Sequence, residues 1–411
     1  MVQAHLGPAS WLRRSIIPAG IVLGLAYLNF ACNYSLGYKE IYQHHSHASA
    51  ILLWIVNGFS QVCIFVYWYL TVAVGPGKSP QFPAFNIHNE LESAHAQYMP
   101  VPHLFFCDES GYPYYDSNTQ SIKLERTFYS KHVGYNVLKY DHYCLWIGTV
   151  VGLTNYLYFF KFCIWLLTFF ATMLVWTAVY THPSIRRRGV INHNFIVVYV
   201  MCGLWLLMIG ALVASHVVYV CFNMTTLDDL TKKQRRRYQN WQSRRGGGES
   251  SKPSEPKLGC IRPRLPRQEN GARFVNVEHG ETRVVVRFDV NDLPFDLGWK
   301  RNWINLVLNG NRSRGRSESF YTTARFTRSV VVLLVPFVEL LWRSPPTSMM
   351  MKRSNLAEAG ASYLESMSSQ WEYYSEELSP RFLEMIQLRI SKGDCHSPSY
   401  LVNKESLQET V

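Results

Sequence analysis

The sequence has no pair of cysteines at the close spacing of a metal-binding module. Its nine cysteines are scattered along the chain, and several of them lie inside apolar stretches. This spacing is unlike a secreted disulfide framework and unlike a zinc module built from Cys-x-x-Cys pairs. It therefore favours reduced thiols.

Acidic residues are scarce relative to basic ones. The chain has 29 Asp and Glu against 41 Lys and Arg, and its formal net charge is +12. The basic residues concentrate outside the apolar stretches. Such an excess predicts anionic partners: lipid head groups, a phosphate-bearing substrate or nucleic acid.

Four apolar stretches are long enough to cross a bilayer, which takes about 20 residues. They cover approximately 16–38, 48–74, 156–180 and 195–222. The first lacks the cleavage site of a signal peptide and is followed at once by another apolar stretch, so we expect a retained span. A transporter or channel is the weaker alternative, because the spans offer little polarity beyond Asn29, Asn57 and Gln61.

The positions of basic residues predict the orientation of the spans. Arg13 and Arg14 precede the first span, and a basic cluster around 232–237 follows the fourth, so we expect both termini in the cytosol. The long loop between the second and third spans is then cytosolic as well. Arg186, Arg187 and Arg188 fall in the short loop assigned to the lumen, and this triplet counts against the assignment.

We therefore expect a mainly α, polytopic membrane protein. The predicted regions are a cytosolic N-terminus at 1–15, two spans at 16–74, a cytosolic loop domain at 75–155, two spans at 156–222, and a cytosolic basic tail at 223–411. Within the tail, 246–257 reads as a flexible linker and about 273–290 as a small β-hairpin. The apolar run 330–342 is too short to span, so we expect it to pack on the domain or lie at the membrane interface.

The loop between the second and third spans carries Asp141, His142 and Cys144 within four positions. A thiolate is the attacking form of cysteine, and an imidazole two residues away can take its proton. A neighbouring carboxylate can hold the imidazole in the useful tautomer. This short pattern occurs by chance in many chains, so its surroundings decide its meaning.

Those surroundings resemble the DHHC-type protein S-acyltransferases, or palmitoyltransferases, and most closely the fungal branch whose motif is Asp-His-Tyr-Cys. The resemblance covers the four-span layout, the position of the loop, and the segments 126–127, 137–148 and 152–156. Further similar motifs are Gly75-Pro76-Gly77, where the family has Asp-Pro-Gly, Thr225-Thr226-Leu227-Asp228, where it has Thr-Thr-x-Glu, and a bracing motif at 294–303.

The resemblance implies transfer of a long-chain acyl group from palmitoyl-CoA to a protein cysteine, in two ping-pong steps. Cys144 would carry the acyl group, His142 would act as general base, and Asp141 would orient His142. The implied supporting residues are Trp146, Asn155, Thr226, Asp228 and Asn302, and the candidates for binding CoA phosphates are Arg126, Lys131 and Lys139. For each of these cations, contact with anionic lipid is the alternative.

The expected partners follow from the same resemblance. They are membrane lipid, acyl-CoA, and cytosolic or membrane-associated proteins with an accessible cysteine, at an endomembrane or the plasma membrane. We expect no nucleic acid, because a basic cluster such as 232–245 next to a span more often holds anionic lipid.

The loop departs from the family at its metal ligands. In the family, Cys and His residues of this loop hold two structural zinc ions. The corresponding positions here are Asp116, Thr119, Tyr129, Ser130, Val133, Asn136, Tyr143 and Val150. Zinc prefers thiolate and imidazole donors in a tetrahedral set, so we predict that both zinc sites are lost and that no cofactor is tightly bound.

The loss of zinc ligands leaves an alternative open. A catalytically weak or inactive relative could serve as a membrane scaffold. The enzyme is favoured because the chemical groups are kept and Tyr143 stands at a structural position.

Overall fold

The computed structural model describes residues 8–87, 98–244, 273–309, 322–342 and 363–401. The chain divides into two compact units. The first comprises Met1–Ser79, Arg126–Cys221 and Trp299–Met349, and the second Pro80–Glu125, Phe222–Gly298 and Met350–Val411. The predicted loop domain at 75–155 thus contributes to both units, and the predicted linker at 246–257 lies outside the described residues.

The helices, in chain order, are α1 Pro8–Phe30, α2 His47–Val74, α3 Tyr156–Arg188, α4 His193–Cys221, α5 Thr226–Arg244, α6 Trp299–Ile304, α7 Thr323–Leu334, α8 Val338–Trp342, α9 Tyr363–Tyr374 and α10 Pro380–Ser391. The strands are β1 Leu104–Cys107, β2 Tyr115–Asp116, β3 Ser121–Ile122, β4 Phe128–Ser130, β5 Tyr135–Val137, β6 His142–Cys144, β7 Thr149–Val151, β8 Arg273–His279 and β9 Thr282–Phe288.

Four segments of the first unit are long and apolar enough to cross a membrane: Ala19–Tyr42, His47–Val74, Tyr156–Arg188 and His193–Cys221. The prediction of a mainly helical protein with four spans is confirmed. The first span changes its winding midway, because α1 continues as a wider π-helix over Ala31–Tyr42.

The amides in the middle of the first two spans bind one another. Asn29 Nδ2 donates to Gln61 Oε1 at 2.5 Å, and Asn57 Nδ2 donates to Asn33 Oδ1 at 2.6 Å. Polar groups within a bilayer need such internal partners. These amides therefore join the first span to the second.

The third span extends beyond its predicted end, and the arginine triplet forms its last turn. Gly189 ends the helix in the left-handed conformation, at φ 76°. Arg187 and Arg188 lie 2.5 and 3.0 Å from Glu40 Oε2, and the Glu40 side chain is fully buried. His45 lies 3.3 Å from the other oxygen of Glu40. A buried carboxylate needs partners of opposite charge, and this need accounts for Arg187 and Arg188.

A segment of the tail packs against the spans of the first unit. We call Thr323–Trp342, which comprises α7 and α8, the tail hairpin. Lys161 of α3 donates to Val332 O at 2.7 Å and lies 2.6 Å from Glu339 Oε2. The Phe337 N–H donates to Tyr67 Oη of α2 at 2.8 Å. The apolar run predicted at 330–342 therefore contacts the second and third spans.

The second unit contains an antiparallel sheet in the order β1-β8-β9. The predicted hairpin is present, with Arg273 opposite Phe288 and His279 opposite Thr282. The third strand, β1, comes from the loop between the second and third spans, and the sequence did not predict it. Phe382 and Ile386 of α10 pack on the sheet, in one cluster with Val275, Val277, Val286 and Phe288.

Candidate active site

A short hairpin carries the residues that the sequence predicts to be catalytic. Strand β6 pairs with β7, so that His142 lies opposite Val151 and Cys144 opposite Thr149. Alternate residues of a strand point to the same face, which brings the His142 and Cys144 side chains together. Gly148 closes the turn at φ 71°, and its N–H donates to Cys144 O at 2.9 Å.

The Asp141, His142 and Cys144 side chains form one hydrogen-bonded group. Asp141 Oδ2 lies 2.6 Å from His142 Nδ1, and Asp141 is buried. His142 also makes a side-chain hydrogen bond with Cys144. Because Asp141 takes Nδ1, the Nε2 atom is left for the sulfur. This is the arrangement of nucleophile, base and orienting carboxylate.

The electrostatics of the group depend on His142. Burial lowers the pKa of His142, but its hydrogen bonds to Asp141 and Cys144, together with the charges of both, outweigh burial and raise that pKa to about 10. The imidazole therefore keeps its proton at neutral pH. A positive imidazolium beside a cysteine favours the reactive thiolate.

An apolar cavity of about 570 Å³ lies beside Cys144, among the four spans. Cys144 and Trp146 belong to its lining, and the Trp146 ring meets Trp205 of α4 edge-on at 5.5 Å. Other lining residues are Leu28, Ile64, Phe159, Phe170 and Ile209. The volume lies within the range of sites that bury a small ligand, and the lining suits a hydrocarbon chain.

Asn155 joins the hairpin to the spans. Its Oδ1 accepts from Gly152 N at 2.9 Å, and its Nδ2 donates to Thr71 O and Val150 O, each at 2.9 Å. The side chain is fully buried with all three bonds made. Asn155 therefore holds the ends of α2 and β7 together at the start of α3.

Of the remaining supporting residues, Asn302 belongs to the first unit, and Thr226 and Asp228 belong to the second. Asn302 Nδ2 donates to Cys221 O at 2.7 Å, at the last residue of α4. Asp228 Oδ2 accepts from Thr225 N at 3.1 Å, and its Oδ1 lies 3.3 Å from Arg273. Thr226 is the first residue of α5. The sequence predicts that Thr226 and Asp228 join the fourth span to the loop that carries Cys144, and this stays a prediction.

The three candidate cations for CoA differ in exposure. Arg126 is buried, Lys139 is half-buried and Lys131 is exposed. Arg126 and Lys139 have positive φ angles, 53° and 44°, and the Tyr140 N–H donates to Arg126 O at 3.0 Å. Of the three, Lys131 is therefore the most accessible to a ligand from solution. Contact of Arg126, Lys131 or Lys139 with CoA stays a prediction.

The sequence did not single out His216 of α4. Its Nδ1 lies 2.7 Å from Tyr156 Oη. Potential metal-ligand atoms of Asp141, His142 and His216 all lie within 4.8 Å of one another. No other three potential metal ligands are grouped in this way in the described part of the chain. The 2.6 Å separation between Asp141 and His142 is a hydrogen bond, shorter than the roughly 3.3 Å between two ligands of one tetrahedral zinc ion. A histidine inside an apolar span was the available signal.

The positions that hold zinc in the family carry other contacts here. Asp116 Oδ2 accepts from Thr119 Oγ1 at 2.7 Å and from Thr119 N at 3.1 Å. The Tyr143 ring stacks on His132 with centroids 3.8 Å apart. Tyr129 faces Asn136 across the β4–β5 pair. A single carboxylate with hydroxyl, amide and phenol groups does not fit a tetrahedral zinc site, which is built from thiolate and imidazole.

Known proteins are similar to this chain in sequence. A family model described as DHHC palmitoyltransferase matches residues 109–233, which include Asp141, His142 and Cys144. Palmitoyltransferase PFA5 of Candida albicans is 45% identical over 390 residues, covering 94% of this chain and 92% of that protein. Palmitoyltransferase PFA5 of Kluyveromyces lactis is 33% identical over 226 residues, covering 52% and 63%. Human palmitoyltransferase ZDHHC18 is 31% identical over 127 residues, covering 28% and 30%.

A cysteine that is hydrogen-bonded to a histidine, beside an apolar cavity among four candidate membrane spans, is the arrangement expected of a membrane-bound acyltransferase. The chain belongs to the DHHC palmitoyltransferase family. It is an enzyme that palmitoylates proteins, as the resemblance implied.

Proposed function

We propose that Cys144 carries the acyl group between palmitoyl-CoA and a cysteine of the substrate protein. The observation that carries this proposal is the hydrogen-bonded group of Asp141, His142 and Cys144 beside the apolar cavity. A scaffold without catalysis would not need this group.

In the first step, the Cys144 sulfur, with its proton on His142 Nε2, attacks the thioester carbonyl. The carbon–sulfur bond to CoA breaks, and His142 returns its proton to the departing CoA thiolate. In the second step, neutral His142 takes the proton of the substrate thiol, whose sulfur attacks the acyl-enzyme. Cys144 leaves as a thiolate beside the imidazolium, which restores the resting pair.

The cavity serves both steps because it keeps the acyl chain away from water. Each buried methylene contributes about 0.8 kcal/mol, so a long chain remains among the spans while its carbonyl stays at Cys144. Phosphates of CoA would then lie in the solvent near the hairpin, where exposed Lys131 can pair with them.

We further propose that the Cys144 end of the span bundle faces the cytosol, with both termini on that side. Arg13 and Arg14 before the first span and the basic cluster after the fourth support this orientation. Arg187 and Arg188 are not free loop charges, because both pair with buried Glu40. These two arginines therefore count little against the orientation.

The Asp-His-Tyr-Cys motif and the likeness to PFA5 proteins support a place in the fungal branch of the family.

We also propose that the loop folds without zinc. Its support is the donor set described above, in which the Asp116–Thr119 hydrogen bonds and the Tyr143–His132 stack stand where the family has metal ligands. Expected partners are membrane lipid, acyl-CoA and proteins with an accessible cysteine, at an endomembrane or the plasma membrane.

Replacement of the nucleophile tests the proposed role of Cys144. The purified protein is incubated with a labelled palmitoyl-CoA analogue, and hydroxylamine-sensitive label is measured. We expect Cys144→Ser to abolish this label, because serine forms an ester that resists hydroxylamine and lacks the thiolate. Cys395→Ser, at a half-buried cysteine of the second unit, should keep it. Equal labelling of Cys144→Ser and the unchanged protein would refute the proposal.

A further inference from the structure

A histidine and a tyrosine outside the sequence motif lie against the reactive group. His216 is 2% exposed, inside α4, and its Nδ1 is 2.7 Å from the Tyr156 hydroxyl at the start of α3. An imidazole is unfavourable in an apolar span unless it is hydrogen-bonded. The bond to Tyr156 therefore both stabilises His216 and restricts its ring to one orientation.

His216 reaches His142 directly and through a shared neighbour. The two imidazole centroids are 6.0 Å apart. Phe159 meets the His142 ring edge-on at 5.3 Å and the His216 ring edge-on at 5.3 Å. A ring nitrogen of His216 also lies within 4.8 Å of a carboxylate oxygen of Asp141 and of a ring nitrogen of His142. The side of His142 that packs on the spans is thus bounded by His216 and Phe159.

We infer that His216, fixed by its hydrogen bond to Tyr156, is a positioning residue for acyl transfer. It holds the His142 ring in the orientation that joins Asp141 to Cys144. Reactions of this kind are sensitive to small displacements of the reacting groups, so a ring that can turn reduces the rate even when substrate still binds. The inference rests on the proposed roles of His142 and Cys144.

Two substitutions of His216 separate positioning from packing. His216→Phe keeps an aromatic ring against Phe159 but loses the bond to Tyr156, whereas His216→Gln keeps a hydrogen-bonding group and loses the ring. We expect His216→Phe to lower the maximal rate of acyl-enzyme formation by about 10- to 100-fold, with the KM for palmitoyl-CoA unchanged. We expect His216→Gln to recover most of the rate.

Tyr156→Phe removes only the hydroxyl and keeps the ring, so it tests the same bond with little risk to folding. We expect a similar fall in maximal rate. The double variant His216→Phe with Tyr156→Phe should be no slower than the slower single variant, because both changes remove one interaction.

Three results would overturn the inference: a normal rate for Tyr156→Phe, a faster His216→Phe than His216→Gln, or independent effects that multiply in the double variant. Cys144→Ser is measured alongside. If it keeps the hydroxylamine-sensitive label, the proposed nucleophile is wrong. If it loses the label while the His216 and Tyr156 variants react normally, only the positioning role fails.

Discussion

Single residues set the charge state on which the reaction depends. Asp141 is buried with its Oδ2 2.6 Å from His142 Nδ1, so this carboxylate and the imidazolium stabilise each other. The raised pKa of His142, about 10, means that the proton stays on the ring through neutral pH. Only above that pH should the imidazole of His142 lose this proton.

Replacing the Asp141 carboxylate should lower the pH above which His142 loses its proton. Asp141→Asn removes the negative charge that holds the proton, so the pKa of His142 falls and the imidazolium is lost at a lower pH. We expect the rate of acyl-enzyme formation to decline at lower pH than in the unchanged protein, and to fall about 100-fold or more at neutral pH. The measurement is the initial rate of acylation between pH 6 and about pH 10. This range runs from near the ordinary pKa of histidine to the raised pKa of His142, about 10.

Asp394→Asn, at an exposed carboxylate of the second unit, is the matched control and should leave the profile unchanged. An unaltered alkaline limit in Asp141→Asn would contradict the role of Asp141.

The grouping of the candidate site residues could be predicted from the sequence because they are close together in the chain. Asp141, His142 and Cys144 fall within four positions, and strand alternation brings two of them together. His216 escaped prediction because 74 positions separate it from His142 along the chain (216 − 142). Only the packing of α4 against α3 brings it into contact with Tyr156.

Among the structural elements, the tail hairpin is joined to the third span by a buried ion pair. Lys161 and Glu339 are both fully buried, with 2.6 Å between Nζ and Oε2. The two residues are separated by 178 positions. Removing one partner of such a pair leaves an uncompensated charge in an apolar setting.

Loss of Glu339 should therefore destabilise the first unit. We expect Glu339→Gln to lower the free energy of unfolding by about 3–5 kcal/mol, observed as a lower Tm in detergent. Glu384→Gln, on the exposed face of α10, is the control and should have little effect.

The double variant Lys161→Met with Glu339→Leu removes both charges and should recover most of the loss, because a well-packed apolar pair can replace a buried ion pair. A Tm for Glu339→Gln equal to that of the unchanged protein would show that the pair does not hold the tail hairpin.

The elements themselves were predictable to different degrees. Hydropathy identified the four spans, and alternation identified the β8–β9 hairpin, because both patterns are local. The pairing of β1 with β8 joins residues far apart in the chain, such as Leu104 and Val277. The extension of α3 to Arg188 depends on Glu40. Neither can be read from a single stretch of sequence.

For the whole molecule, the main departure from the family that we propose is a loop folded without zinc. Metal binding contributes to folding in small metal-dependent domains, so other contacts must serve that purpose here. The Asp116–Thr119 hydrogen bonds and the Tyr143–His132 stack are such contacts. Hairpins β4–β5 and β6–β7 supply further backbone bonds.

Metal analysis tests this departure. We expect the purified protein to hold far less than one zinc ion per chain. A zinc chelator should leave both Tm and acyl-enzyme formation unchanged, since the contacts named above are made without metal. One or more tightly held zinc ions per chain, with loss of Tm on chelation, would contradict a metal-free loop.

The central claim is that the acyl group passes through Cys144 on its way to the substrate protein, and a pulse–chase measurement tests it most directly. The enzyme is labelled once with palmitoyl-CoA, freed of excess donor, and mixed with an acceptor protein, while peptide mass spectrometry follows the acyl group. We predict that the label leaves Cys144 at the same rate as it reaches the acceptor cysteine. If the label remains on Cys144 and the acceptor is acylated only after palmitoyl-CoA is added back, the claim is contradicted.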